Sequence, residues 1–129
     1  MSVLILVVDD EHDVRELFLQ QFRKELRGKR FVMEFAYSGV EALAKVDEAR
    51  DLDLILVLSD INMPNMTGLE LLPHLKQMRP DVPVIMITAY GGEDMIRQAV
   101  KAGAAKLLPK PIDFAQLRQE IDLRLELRA

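Results

Sequence analysis

Four apolar runs in this chain each end beside a residue that can do phosphoryl or metal chemistry. Val3 to Val8 stop at Asp9-Asp10, Leu54 to Leu58 stop just before Asp60, Val84 to Ile87 stop at Thr88, and the short run Leu107-Leu108 stops before Lys110. If the runs are parallel strands of one sheet, their carboxyl ends share an edge. Three carboxylates, a hydroxyl and an ammonium then converge, as a phosphoryl-accepting metal site requires.

Taken singly, each residue has a plainer reading. Asp9 and Asp10 would suit a helix cap, and Asp60 would suit a turn ahead of Asn62 and Pro64. Thr88 is at home in any strand, and Lys110 before Pro111 reads as a solvated loop lysine. Their shared position at the same end of four strands, the edge where open α/β sheets bind ligands, shifts the balance to a common site.

Two carboxylates about 4 Å apart repel by roughly 4 kcal/mol at an effective dielectric near 20, so the cluster needs a compensating cation. The donors are hard oxygens without sulfur, which favours Mg²⁺, with Mn²⁺ as a substitute, over Zn²⁺. Asp60 beside such an ion and a lysine is the nucleophile expected to become an acyl phosphate. The metal would neutralise one phosphoryl oxygen, Lys110 another, and the Thr88 hydroxyl with the Ala89 amide a third. His12 and His74, the two imidazoles, are expected at the surface.

The elements that must place these residues follow from alternation of apolar runs with amphipathic stretches, which marks a parallel sheet covered on both faces. Five β/α pairs are predicted, with strands near 3–8, 31–37, 53–59, 83–88 and 105–108. The first helix follows the acidic pair, carries Val14, Leu17, Phe18, Phe22 and Leu26 on one stripe, and has Gly28 as a stop. The second opens at Ser38-Gly39-Val40-Glu41 and the third at Thr67-Gly68-Leu69-Glu70, both matching a capping box. Pro73 inside the third is expected to kink it or force an adjustment. The fourth runs from about Glu93 to Ala102 and stops at Gly103. The fifth starts near Asp113 with Phe114, Leu117, Ile121 and Leu125 toward the core, and leaves Leu123 and Leu127 off that stripe.

With 129 residues, half of them hydrophobic, the chain suits one globular domain. A net charge of −4 without a basic stripe argues against direct nucleic-acid binding. The absence of cysteine excludes disulfides and thiolate sites. The first apolar run is too short for a membrane span and lacks the basic flank of a signal peptide.

Val-Val-Asp-Asp-Glu at 7–11, Leu-Ser-Asp-Ile-Asn-Met-Pro at 58–64, Gly68, Ile-Thr-Ala at 87–89 and Lys-Pro at 110–111 together resemble the receiver domain of two-component response regulators. The resemblance spans essentially the whole chain. It implies a flavodoxin-like (βα)5 three-layer sandwich of strand order 2-1-3-4-5, with residues 1–129 as a single receiver domain, either a complete regulator or part of a larger one. Asp60 would accept a phosphoryl group from a phosphohistidine on a sensor histidine kinase or histidine phosphotransfer protein. Asp10, Asp60 and the Asn62 backbone carbonyl would ligate Mg²⁺ directly, with Asp9 acting through water. Lys110 would pair with the phosphoryl group and Thr88 would swing toward it.

By the same resemblance the face of the fourth helix, fifth strand and fifth helix changes on phosphorylation, and a downstream effector, an output domain or a second copy docks there. Leu107 departs from the pattern, because the family usually places Tyr or Phe three residues before the lysine. Tyr90 and Asn62 would flank the water path to the acyl phosphate and tune its lifetime. A cytoplasmic signalling module that catalyses only its own phosphorylation and dephosphorylation is therefore expected.

Three rivals fit less well. A phosphatase of the haloacid dehalogenase type would carry Asp-x-Asp after the first strand, with the second Asp as general acid; here the nucleophile follows the third strand and Asn62 stands two residues beyond. A nucleotide-binding module would want a Gly-rich loop after the first strand, where this chain has Asp9-Asp10-Glu11. A degenerate receiver would lack some of Asp10, Asp60, Thr88 and Lys110, all of which are present.

Overall fold

The structure, a computed structural model, describes residues 3–49, 53–89 and 92–128. Five parallel strands, β1 (Val3–Val8), β2 (Val32–Ala36), β3 (Asp53–Asp60), β4 (Val84–Thr88) and β5 (Lys106–Pro109), alternate with helices α1 (Asp13–Gln21), α2 (Arg23–Arg27), α3 (Gly39–Glu48), α4 (Gly68–Met78), α5 (Glu93–Lys101) and α6 (Phe114–Arg128). The sheet order is β2-β1-β3-β4-β5, as expected. Among the described residues no helix is long and apolar enough to cross a membrane.

Alternation along each strand feeds two cores. Leu4, Leu6, Val8, Val84 and Met86 point to α3, α4 and α5, while Ile5, Val7, Ile85, Ile87 and Leu108 point to α1 and α6. All five phenylalanines gather in the second core or against it, with Phe18 and Phe114 meeting edge to face at 5.4 Å. Burial of alternate residues on opposite faces is why the strands read as continuous apolar runs.

One irregularity matters for the site. Between Leu4 and Ile5 the pairing of β1 with β3 slips by one residue, and Ile55 and Leu56 face the same core. Beyond the slip Val8 pairs with Ser59, so continuing the register by one residue sets Asp9 beside Asp60. A one-residue change of register would reverse the faces and separate the carboxylates.

The first predicted helix is in fact two. Phe22 leaves the helical region at φ −106° and ψ 23°, which divides α1 from α2 while keeping Phe22 fully buried. Leu17 is corrected from core to surface at 41 % exposure, because it flanks the stripe of Val14 and Phe18. The stop also differs: Lys29, not Gly28, takes the left-handed conformation at φ 57°. The Lys29 and Arg30 amides donate to the Leu26 and Glu25 carbonyls, the two bonds of a Schellman ending. At the end of α5 the same bonds form with Gly103 at φ 102°. The helix expected to stop at Gly103 does so.

Ser38 accepts from the Glu41 amide at 3.1 Å, and Thr67 and Glu70 form the reciprocal box. Helix α4 runs unbroken through the exposed Pro73. Asp113 caps α6 by accepting from the Ala115 and Gln116 amides.

Candidate functional site at the carboxyl edge of the sheet

Backbone bonds along the carboxyl edge bring the chain segments of the site into line. The Asp9 amide donates to the Ala36 carbonyl at 3.0 Å, the Ile61 amide to Ile87 at 3.1 Å, and the Lys110 amide to Thr88 at 2.8 Å. Asp9, Asp60, Thr88 and Lys110 are thereby fixed by the ends of β1, β3, β4 and β5.

One carboxylate oxygen from each of Asp9, Asp10 and Asp60 lies within 4.8 Å of the others, the one such acidic grouping among the described residues. Asp9 and Asp60 are 7 % and 5 % exposed, so their charges are held largely out of water. Lys110 reaches in from β5, its Nζ 3.1 Å from Asp60 Oδ2 and 3.7 Å from Asp9 Oδ2. Three carboxylates against one ammonium leave a surplus of negative charge.

Burial and neighbouring charge shift two groups of the site, Asp9 and Lys110. Burial pushes the Asp9 carboxyl above its ordinary 3.8, and the Asp60 charge adds to this, against the hydrogen bond from the Glu11 amide at 2.9 Å and the field of Lys110. Burial alone would lower the Lys110 ammonium. The Asp60 hydrogen bond and the charges of Asp9 and Asp60 outweigh it and raise the group above 10.5.

The residues fit a hard divalent cation by donor chemistry: clustered, partly desolvated carboxylates with a single ammonium and no sulfur. The plainer reading of Asp9 and Asp10 as caps does not describe α1. His12 holds its cap position without a side-chain cap bond, and Asp9 accepts from Glu11, in the turn before the helix.

Thr88 is fully buried at the end of β4, Ala89 follows it exposed, and Asn62 is exposed beyond β3. Leu107 is partly buried against the core shared by α3, α4 and α5. Tyr90, expected to border the site, lies outside the described residues. His12 and His74 are both exposed, as expected.

Two features were not foreseen from sequence. A Cβ on Gly68 would stand 2.4 Å from the Asp60 carbonyl oxygen and 2.9 Å from the Ile61 Cα, so only glycine lets the start of α4 close on the strand that carries Asp60. The Gly68 amide donates to the Ile61 carbonyl at 2.8 Å, which locks that approach. His12 stacks on Tyr37, ring centroids 3.9 Å apart and planes 5° from parallel. Neither contact has a local sequence signal, because each joins separate chain segments.

Comparison with known proteins adds independent findings. The family model for the response regulator receiver domain matches residues 5–122. The chain is 41 % identical over 126 residues to response regulator protein PilR of Pseudomonas aeruginosa, covering 95 % of this chain and 26 % of that one. It therefore spans about a quarter of that relative's length. It is 34 % identical over 129 residues to sporulation initiation phosphotransferase F of Bacillus subtilis, covering 100 % and 98 %. The solved CheX-CheY-BeF3-Mg²⁺ complex of Borrelia burgdorferi contains a chain matched at 29 % identity and a TM-score of 0.79, over 92 % of this chain and 86 % of that one.

Proposed function

The chain belongs to the response regulator receiver domain family, and on that premise we propose that it is a phosphorylation-activated switch of a two-component system with Asp60 as phosphoacceptor. The observation that carries the reading is Lys110 Nζ at 3.1 Å from Asp60 Oδ2, inside a cluster that holds Asp9 and Asp10 within 4.8 Å.

The donor is a phosphohistidine on a sensor histidine kinase or histidine phosphotransfer protein. An Asp60 carboxylate oxygen bonds to phosphorus as the phosphorus–nitrogen bond breaks, and the electron pair stays on the imidazole nitrogen. Lys110 neutralises charge on the phosphoryl oxygens, and the Thr88 hydroxyl with the Ala89 amide holds another. Asp9, Asp10, Asp60 and the Asn62 carbonyl are the groups that would hold Mg²⁺, or Mn²⁺ in its place. When bound, the ion supplies positive charge to the carboxylates and to the transferring group. The Mg²⁺ in the name of the Borrelia burgdorferi complex supports this assignment.

Residues 1–129 act as one receiver unit that catalyses its own phosphorylation and slow hydrolysis, with Asn62 and Tyr90 tuning the water path. A cytoplasmic location suits this chemistry. The hydrolase alternative has no support among the relatives, and Asn62 has no carboxyl proton to donate.

The output face is formed by α5, β5 and α6, and Leu107 there stands where the family usually places Tyr or Phe. Ile96, Val100, Leu123 and Leu127 are 44 %, 60 %, 44 % and 73 % exposed, which supports docking of an effector, an output domain or a second copy on these helices.

Incubation with acetyl phosphate and Mg²⁺ tests the reading. A single base-labile, acid-stable phosphoryl adduct is expected, absent without Mg²⁺ or in Asp60→Asn. A folded, metal-bound protein that takes no label contradicts it.

A further inference from the structure

Beside the acidic cluster, two aromatic rings lie face to face at the surface. His12 follows Asp10 by two residues and is exposed, while Tyr37 follows β2 and is partly buried against the second core. Their centroids are 3.9 Å apart with planes 5° from parallel. Tyr37 and Asp9 line one narrow crevice, and the Asp9 amide is bonded to Ala36, the residue before Tyr37.

The pair is thus tied on both sides to the carboxylate cluster. His12 makes no side-chain cap bond to α1. Its one described ring contact is the stack, which covers one face of the imidazole and leaves an exposed ring at the rim. A core-anchored aromatic pair presents a flat surface with little rotamer freedom left to lose on binding. Glu11 and Asp13 stand exposed on either side of His12 and favour a cationic ring over an anionic one.

We propose that the His12–Tyr37 stack is a platform that receives the imidazole leaving group of an aromatic phosphoramidate donor, the chemical class of phosphohistidine. The proposal rests on the reading of Asp60 as phosphoacceptor and names a positioning element for its donor. In the transfer the Asp60 oxygen–phosphorus bond forms and the phosphorus–nitrogen bond breaks. The nitrogen keeps the electron pair, and a ring that enters protonated on its other nitrogen leaves as neutral imidazole. Ring stacking orients that leaving group away from Asp60, whereas a donor without a ring has nothing to place on the platform.

The test compares two small donors, phosphoimidazole and acetyl phosphate, on the intact chain with Mg²⁺. The readout is the ratio of their phosphorylation rates in wild type, His12→Ala and His12→Phe. The ratio of phosphoimidazole to acetyl phosphate rates should fall about threefold to tenfold in His12→Ala, the size of one aromatic stack, and recover in His12→Phe. Tyr37→Ala should lower it in the same direction. A ratio in His12→Ala equal to that of wild type overturns the platform while leaving Asp60 as acceptor. Absence of labelling by either donor in wild type overturns the acceptor reading itself, and the platform with it.

Discussion

Gly68 and Asp60 touch through their backbones: a Cβ at position 68 would lie 2.4 Å from the carbonyl oxygen of Asp60. Gly68→Ala must therefore push the start of α4 away from the end of β3. We expect a stability loss of about 1–3 kcal/mol, as for overpacking in a well-packed interior, together with slower phosphorylation. Urea unfolding and acetyl phosphate labelling of the variant measure the two effects.

The surplus negative charge at Asp9, Asp10 and Asp60 makes metal and stability interdependent. Mg²⁺ at about a hundred times its Kd should stabilise the fold by about 2.7 kcal/mol. Asp10→Asn relieves repulsion and should stabilise the metal-free protein by roughly 1 kcal/mol, yet lose most of the Mg²⁺ response. Thermal unfolding of both proteins with Mg²⁺ and with chelator checks this opposition of signs.

Lys29 holds a left-handed conformation at φ 57° to complete the Schellman ending of α2, a position that glycine occupies at the end of α5. Lys29→Gly should stabilise the chain by up to about 1 kcal/mol, since glycine adopts that conformation without steric cost. Chemical denaturation would show an unchanged or lowered midpoint if the turn were not strained.

Arg118 links α6 to both α1 and α2: its Nε donates to Glu25 Oε2 at 2.7 Å, an Nη donates to the Gln21 carbonyl at 2.7 Å, and its guanidinium lies 5.0 Å from the Phe22 ring centroid. Burial alone would raise the Glu25 carboxyl, but the Arg118 hydrogen bond, a backbone bond and the charges of Arg118 and Arg30 together hold it below 4.5. A lowered folded-state value means stabilisation that is present above about pH 4.5 and lost as pH falls through the folded value. Because water screens the half-exposed Arg118, the contribution is about 0.5–1 kcal/mol. The stability gap between wild type and Glu25→Gln, measured by denaturation from neutral pH into acid, should close in acid. A gap that widens in acid would contradict the pairing.

The strands and the placement of Asp9, Asp10, Asp60, Thr88 and Lys110 at one edge were legible because burial on both faces writes itself as apolar runs, and each run stops at polar residues of the edge, buried though Asp9, Asp60 and Thr88 are. The capping residues Thr67 and Ser38 were legible for a similarly local reason. What escaped depends on contacts between distant segments. The slip at Ile55 that aligns Asp9 with Asp60 is invisible where every residue of the strand is apolar. Phe22 looked helical by spacing, but its ring is drawn among Phe18, Phe31 and Phe114, and the helix breaks there. Gly28 looked like the stop because glycine favours positive φ, yet the hydrogen bonds place the left-handed residue one position later.

The identity of the reacting atom is tested most directly by reducing the phosphorylated protein with borohydride and mapping the site by peptide mass spectrometry. The account predicts that one aspartate, Asp60, is converted to homoserine, and only after treatment with phosphodonor and Mg²⁺. Homoserine at Asp9 or Asp10, or conversion at no residue of a protein that carries the label, would contradict it.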